Sequence, residues 1–268
     1  MAFHLAPQHA NARMRTKLSH RLKEVFVPDF SRPPTVPADA RTTILRPLER
    51  ETLWDRAYAA LREALLNGRY APGHRIVLRE VAGELGISLT PVRDAVNRLI
   101  AERVLERGTG GQGGGAIVPH VDANIFRQLV MMRSEIESRA AFEAVVHADD
   151  ADVDTLRDLH ARMAQLIDAE PRQGYLDVHR RFHFHLYALS GLDAVQDTIE
   201  TLWLRCGPVL NMVLPEYVPH LKATDYHAAA VEALALRDAA GVALAIRRDI
   251  VEAGQYIHGL LVQDVATH

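Results

Sequence analysis

Apolar positions first recur at helical spacing at Leu53, Trp54, Ala57, Tyr58, Leu61, Ala64 and Leu65, which predicts a helix from about Glu51. Asn67-Gly68 closes it, and Tyr70-Ala71-Pro72-Gly73 is a turn signal. Arg79 to Leu85 is a short second helix with Val81, Ala82 and Leu85 on one face, stopped by Gly86. Ser88 or Thr90 can cap a third helix, and Pro91 suits its first turn. That helix runs to about Glu102 and buries Val92, Ala95, Val96, Leu99 and Ile100. Residues 104–107 and 116–119 then predict two strands, separated by a stretch with six glycines in the eight residues from Gly108 to Gly115. Three helices followed by a two-stranded hairpin make a winged helix-turn-helix.

Beyond Asp122 no strand pattern follows. Helical periodicity returns over 125–148, 151–169, 173–190, 194–212, 223–237 and 241–262, punctuated by Pro171, Gly191, Pro208, Pro215, Pro219 and Gly241. This predicts a six- or seven-helix bundle with its own core. The fold class is therefore mainly α, with an N-terminal winged helix-turn-helix over 49–120 and an all-helical domain over 121–268. Residues 1–48 are expected to be a disordered arm, basic at Arg13, Arg15, Lys17, Arg21 and Lys23 and proline-rich at Pro28, Pro33, Pro34 and Pro37. Its acid-poor start resembles an organelle transit peptide only faintly, and Met14 is an alternative start.

Composition narrows the function classes. The net charge of -3 over 268 residues gives no global basic field, so any nucleic-acid surface must be local. One cysteine, Cys206, excludes an intrachain disulfide and suits a small buried residue near Leu202, Trp203 and Leu210. No apolar run approaches the roughly 20 residues of a membrane span. The glycine-rich stretch lacks a following Lys-Ser/Thr and a helix, so it predicts a flexible wing rather than a nucleotide site.

Two constellations carry chemistry. Arg93 stands one turn into the third helix, behind the small hydroxyl residues Ser88 and Thr90, where a helix-turn-helix meets base edges and phosphates. His179 and His183 are four apart and share a helix face; His227 and Asp249 are each 11 residues from Asp238, where two antiparallel helices can fold back. Three imidazoles and a carboxylate converging in a bundle form a divalent metal site. His185 points away from that face, and His147, His160 and His258 are assigned to surface or packing. A hydrolase is disfavoured: zinc peptidases of the His-x3-His type need Glu after the first His, and here that residue is Arg180.

Residues 53–119 resemble the winged-helix domain of GntR-type transcription regulators. The resemblance rests on the run Ala57 to Leu65, on Asn67 to Gly73, on Leu78-Arg79-Glu80-Val81-Ala82 and on Thr90-Pro91-Val92-Arg93-Asp94-Ala95. The helical remainder resembles the FCD effector domain of the same family. The resemblance implies a bacterial, cytoplasmic homodimer on palindromic operator DNA. It places Arg79, Ser88, Thr90 and Arg93 against DNA, and the wing, with Gly110 and Gln112, in the minor groove. Relatives carry a second arginine just before Thr-Pro-Val-Arg; here that position is Leu89. The resemblance also implies a metal at His179, His183, His227 and Asp249, with one His and the Asp exchanged relative to the usual order. Zinc or nickel suits such imidazole-rich ligation, manganese less so. A small carboxylate effector on that metal, met by Arg133, is implied as well; an intrahelical pair between Arg133 and Glu137 is the alternative.

Overall fold

The computed structural model describes residues 52–108, 115–167, 173–217 and 225–267; the expected arm and the wing-tip residues Gly110 and Gln112 lie outside them. Helix α1 (Leu53–Leu66) begins at a reciprocal cap. The Thr52 hydroxyl accepts from the Asp55 N–H at 3.2 Å, and the Asp55 carboxylate accepts from the Thr52 N–H at 2.9 Å. Strand β1 (Arg75–Ile76) leads into α2 (Leu78–Leu85), which ends at Gly86 with φ 64°, a left-handed cap that glycine adopts without steric cost. Helix α3 (Leu89–Ala101) follows with Ser88 at its N-cap, although neither the Ser88 nor the Thr90 hydroxyl makes the side-chain cap expected. Strands β2 (Glu106–Arg107) and β3 (Ala116–Ile117) complete the domain.

The sheet has three strands rather than the two expected. Its order is β1-β3-β2, all antiparallel, with Ile117 opposite both Arg75 and Glu106. β1 escaped detection because two residues carry no alternation. Ile76 nonetheless anchors it in a core shared with Leu61, Leu65, Val92, Leu99 and Leu105. Val104 and Leu105, expected on the strand, instead fill this core just before it.

Six helices form the described part of the second domain: α4 (Ala123–His147), α5 (Asp150–Ile167), α6 (Gln173–Ala188), α7 (Asp193–Tyr217), α8 (Tyr226–Ala235) and α9 (Ala239–Thr267). Two expected boundaries move. Helix α7 continues past its expected end at 212 and through Pro215; Pro208, inside the expected helix, is buried, so tertiary packing holds a helix that proline alone disfavours by about 3 kcal/mol. Helix α9 starts before Gly241, after a turn at Leu236–Asp238 in which Arg237 has φ 58°.

Helices α4 and α9 approach closely at Gly254. A β-carbon there would lie 2.5 Å from Val130 Cγ1. On an uncrowded helix Gly→Ala stabilises by about 1 kcal/mol. Here Gly254→Ala is expected to destabilise by about 1–3 kcal/mol and lower the melting temperature by several degrees, with Val130→Ala restoring it. A higher melting temperature for Gly254→Ala alone would show that the helices do not meet so tightly.

Candidate metal centre and DNA-binding face

Helix α6 presents His179 and His183 on one face, and the turn between α8 and α9 brings His227 and Asp249 level with them. His183 Nε2 lies 3.1 Å from both His179 Nε2 and His227 Nε2 and 3.5 Å from Asp249 Oδ2. His227 Nε2 is 3.9 Å from Asp249 Oδ1, and one ligand atom from each of the four residues lies within 4.8 Å of the others. A tetrahedral ion bound at about 2.0–2.1 Å separates its ligand atoms by about 3.3 Å, so the donor set fits a metal ion. His183, His227 and Asp249 are buried; His179 is half-buried.

Electrostatics supports the same chemistry. Burial, then the neighbouring imidazoles and Arg133, hold His183 well below the ordinary imidazole pKa; burial, then His227 and Arg133, do so for His179. Both are therefore neutral lone-pair donors near pH 7. Burial raises the Asp249 carboxyl, a penalty that a cation beside it would offset.

A hydrogen-bond chain fixes the tautomer of His183. Glu137 accepts from Arg133 Nε at 2.6 Å, from Arg133 Nη2 at 3.4 Å, from Tyr187 Oη at 2.7 Å and from Trp203 Nε1 at 3.1 Å. The single proton of the Tyr187 hydroxyl is thus committed to Glu137. Burial raises the Tyr187 pKa far above its usual value, which keeps that proton in place. His183 Nδ1, 2.9 Å from the same hydroxyl, must then be the donor, and its Nε2 is left as a bare lone pair facing His179 and His227. Glu137 also neutralises Arg133, which would otherwise oppose a cation next to His179.

Both readings of Arg133 have a geometric basis. It is buried in the pair with Glu137, its guanidinium lies 4.5 Å over the Trp203 ring, and it also lines a cavity of about 40 Å³ with His179, Asp249, Val130 and Gly254. That volume holds a few waters but no sizeable organic acid without movement. Burial is the largest single influence on Arg133 and lowers its pKa, but the charge and hydrogen bond of Glu137, together with Cys206 and Tyr187, outweigh it and the pKa is raised.

The DNA-facing candidates are differently placed. Arg79, Ser88, Thr90 and Arg93 are all exposed, on the N-terminal parts of α2 and α3 and on the turn between them. Leu89 is half-buried against the N-terminal core, which gives the departure from arginine a packing role. The six-glycine stretch has its base fixed by the Gly108 N–H donating to the Gly115 carbonyl at 3.0 Å.

Comparison with known proteins identifies both domains by family. Residues 53–115 match the bacterial regulatory proteins of the gntR family, and residues 128–252 match the FCD domain. An HTH-type transcriptional regulator from the TAR-I ttuE-ttuC' intergenic region of Agrobacterium vitis is 30% identical over 138 residues, covering 50% of this chain and 78% of that protein. The chain belongs to the GntR family. The HTH-type transcriptional regulator McbR of Escherichia coli K12 is 29% identical over 151 residues, 56% of this chain and 67% of McbR. The solved structure of E. coli McbR/YncC superposes with a TM-score of 0.70 at 25% identity, covering 81% of this chain and all of that one. These relatives are transcriptional regulators rather than enzymes. No helix among the described residues is long and apolar enough to cross a membrane.

In this GntR-family chain one helix touches both the candidate metal cluster and the core of the N-terminal domain. On α7, Trp203 packs in the helical core and its ring lies 5.5 Å from that of His183, while the next residue, Leu204, is buried in the DNA-reading core. Glu200 pairs with Arg62 of α1, and Gly207 lets α7 approach the Leu65 carbonyl, which an added β-carbon would meet at 3.2 Å. His185 lies near Asp152 at 3.3 Å, outside the cluster, and His160 braces Asp225, the N-cap of α8, at 2.7 Å.

Sequence reasoning missed Tyr187 and Trp203 as supports. Tyr187 had a usable signal, standing four residues after His183 as Glu137 stands four after Arg133; Trp203 had none. Tyr187→Phe is expected to weaken metal binding about 10–100-fold, measured by competition with a chelator of known affinity, because it releases the His183 tautomer. Unchanged affinity would remove Tyr187 from the site's design.

Proposed function

We propose that the chain is a bacterial, cytoplasmic, ligand-responsive transcription regulator, acting as a homodimer on palindromic operator DNA. Residues 49–120 read DNA through Arg79, Ser88, Thr90 and Arg93, with the wing residues Gly110 and Gln112 following the minor groove. Residues 121–268 sense a small carboxylate through a divalent ion, zinc or nickel before manganese, held by His179, His183, His227 and Asp249. A carboxylate reaching the ion and Arg133 must enlarge the 40 Å³ cavity, which parts α4 from α9 at the Val130–Gly254 contact. Such a ligand shifts the equilibrium only by its differential affinity for the closed and parted arrangements. The His183 tautomer chain supplies the lone pair, Glu137 cancels the adjacent guanidinium charge, and α7 carries the displacement to the core under the recognition helix.

The observation that carries this reading is the placement of Trp203 and Leu204, adjacent in sequence, against the metal cluster and the DNA-reading core. The test is a DNA-shift assay on the chain's own upstream region with acetate, succinate and citrate, using metal-loaded and chelated protein. Binding should fall with salt, and a carboxylate should change it only in the loaded form. The small cavity favours a second reading, a metal that stabilises the bundle without sensing. Affinity indifferent to every carboxylate, in a protein whose stability still depends on metal, would select it.

A further inference from the structure

We propose that the cleft between the DNA-reading domain and the helical domain is a second ligand site, suited to an amphipathic organic anion. The cleft has a volume of about 480 Å³, within the range of small-molecule pockets and about twelve times that of the cavity at the His/Asp cluster. Its walls come from the end of α3, strand β2, the start of α4 and the middle of α7.

The lining has two characters. Arg103, Arg107, Arg205 and His120 bring positive charge, against Glu106 and Asp122. Asp122 is already engaged, accepting from the Ile125 N–H at 2.8 Å as the N-cap of α4. The side chains of the three arginines make no hydrogen bond or ion pair among the described residues. Elsewhere in the chain Arg98, Arg133, Arg139, Arg157, Arg180 and Arg247 each meet a carboxylate. Between the charges lie Val104, Leu105, Leu129 and Pro208, with Ile125 left 37% exposed. Guanidinium groups unmatched by acids, over an apolar floor, suit a ligand with an acidic head and an apolar body.

Arg103 has a further feature. It follows the C-terminal end of α3 with φ 58°, a conformation that costs energy for a residue other than glycine or asparagine. It stands about 15 Å along the helix from Arg93, at the end away from the proposed DNA contacts, so its charge is not needed there. A ligand touching walls from both domains links its own binding to their arrangement. This site shares no residue with the metal cluster and stands or falls independently of it.

The probe is 8-anilinonaphthalene-1-sulfonate, an aromatic sulfonate whose fluorescence rises in apolar surroundings, titrated into the full chain both chelated and metal-loaded. Saturable one-site binding is expected in both forms, displaced by octanoate but not by octanol. Arg103→Asn combined with Arg205→Gln should raise the dissociation constant at least about tenfold. Asparagine suits the left-handed conformation, so Arg103→Asn alone serves as the second variant, with a melting temperature at or above wild type and weaker binding. Unsaturable binding, equal displacement by octanol, unchanged affinity in Arg103→Asn, or competition by metal loading would each overturn the proposal.

Discussion

Replacing His183 and His227 together by alanine is expected to reduce the metal content from about one ion per chain to background, and to abolish the thermal stabilisation that metal confers. Two of the four donors vanish, and the remaining pair, His179 and Asp249, cannot close a coordination shell. In the wild-type chain, free metal at about 100 times its dissociation constant adds about 2.7 kcal/mol, a rise of about 5–11 °C for a chain of this size. The informative quantity is the difference between loaded and chelated protein. The absolute melting temperature is ambiguous, because the double change removes buried imidazoles and also leaves a void where His183 was fully enclosed. Elemental analysis after desalting, with paired melting curves, makes the measurement. One ion per chain retained in the variant, or identical curves for loaded and chelated wild type, would end the metal proposal.

The readability of this chain from sequence followed how local each signal was. The stripe of Val92, Ala95, Val96 and Leu99 with Gly86 before it defined the recognition helix within a few residues, because helical periodicity and a left-handed cap are decided locally. The convergence of the four candidate donors was equally legible: one pair shares a helix face, and the other is symmetric about a turn. β1 was missed because Arg75-Ile76 becomes a strand only through β3, forty residues on. The expected end of α7, at 212, falls too early for a related reason, since a proline's local preference is to break a helix and the helix nonetheless continues through Pro215 to Tyr217. The supports of the metal cluster, Glu137, Tyr187 and Trp203, come from three helices, and only tertiary structure brings their polar atoms together.

Arg93→Ala is expected to cost most of the operator affinity while leaving the fold intact. Its guanidinium is exposed in the first turns of α3 and has no hydrogen bond or ion pair among the described residues, so stability should change by no more than about 0.5 kcal/mol. A bidentate arginine–guanine contact is worth about 1–3 kcal/mol, and a homodimer makes it twice. Loss of both corresponds to a fall in affinity from about 30-fold to more than 10⁴-fold. The salt dependence distinguishes the nature of the contact. A base-reading arginine takes sequence discrimination with it, so specific and unrelated DNA become alike. A phosphate-binding arginine weakens both equally and flattens the slope of affinity against salt by about one per contact. Arg79→Ala in parallel separates the two helices of the motif, since both side chains are exposed but only α3 is placed as the recognition element. Because the neighbouring position holds Leu89, half-buried against the N-terminal core, Arg93 has little charge beside it to compensate for its loss. Wild-type affinity in Arg93→Ala, measured on the chain's own upstream region at two salt concentrations, would remove α3 from the DNA interface altogether.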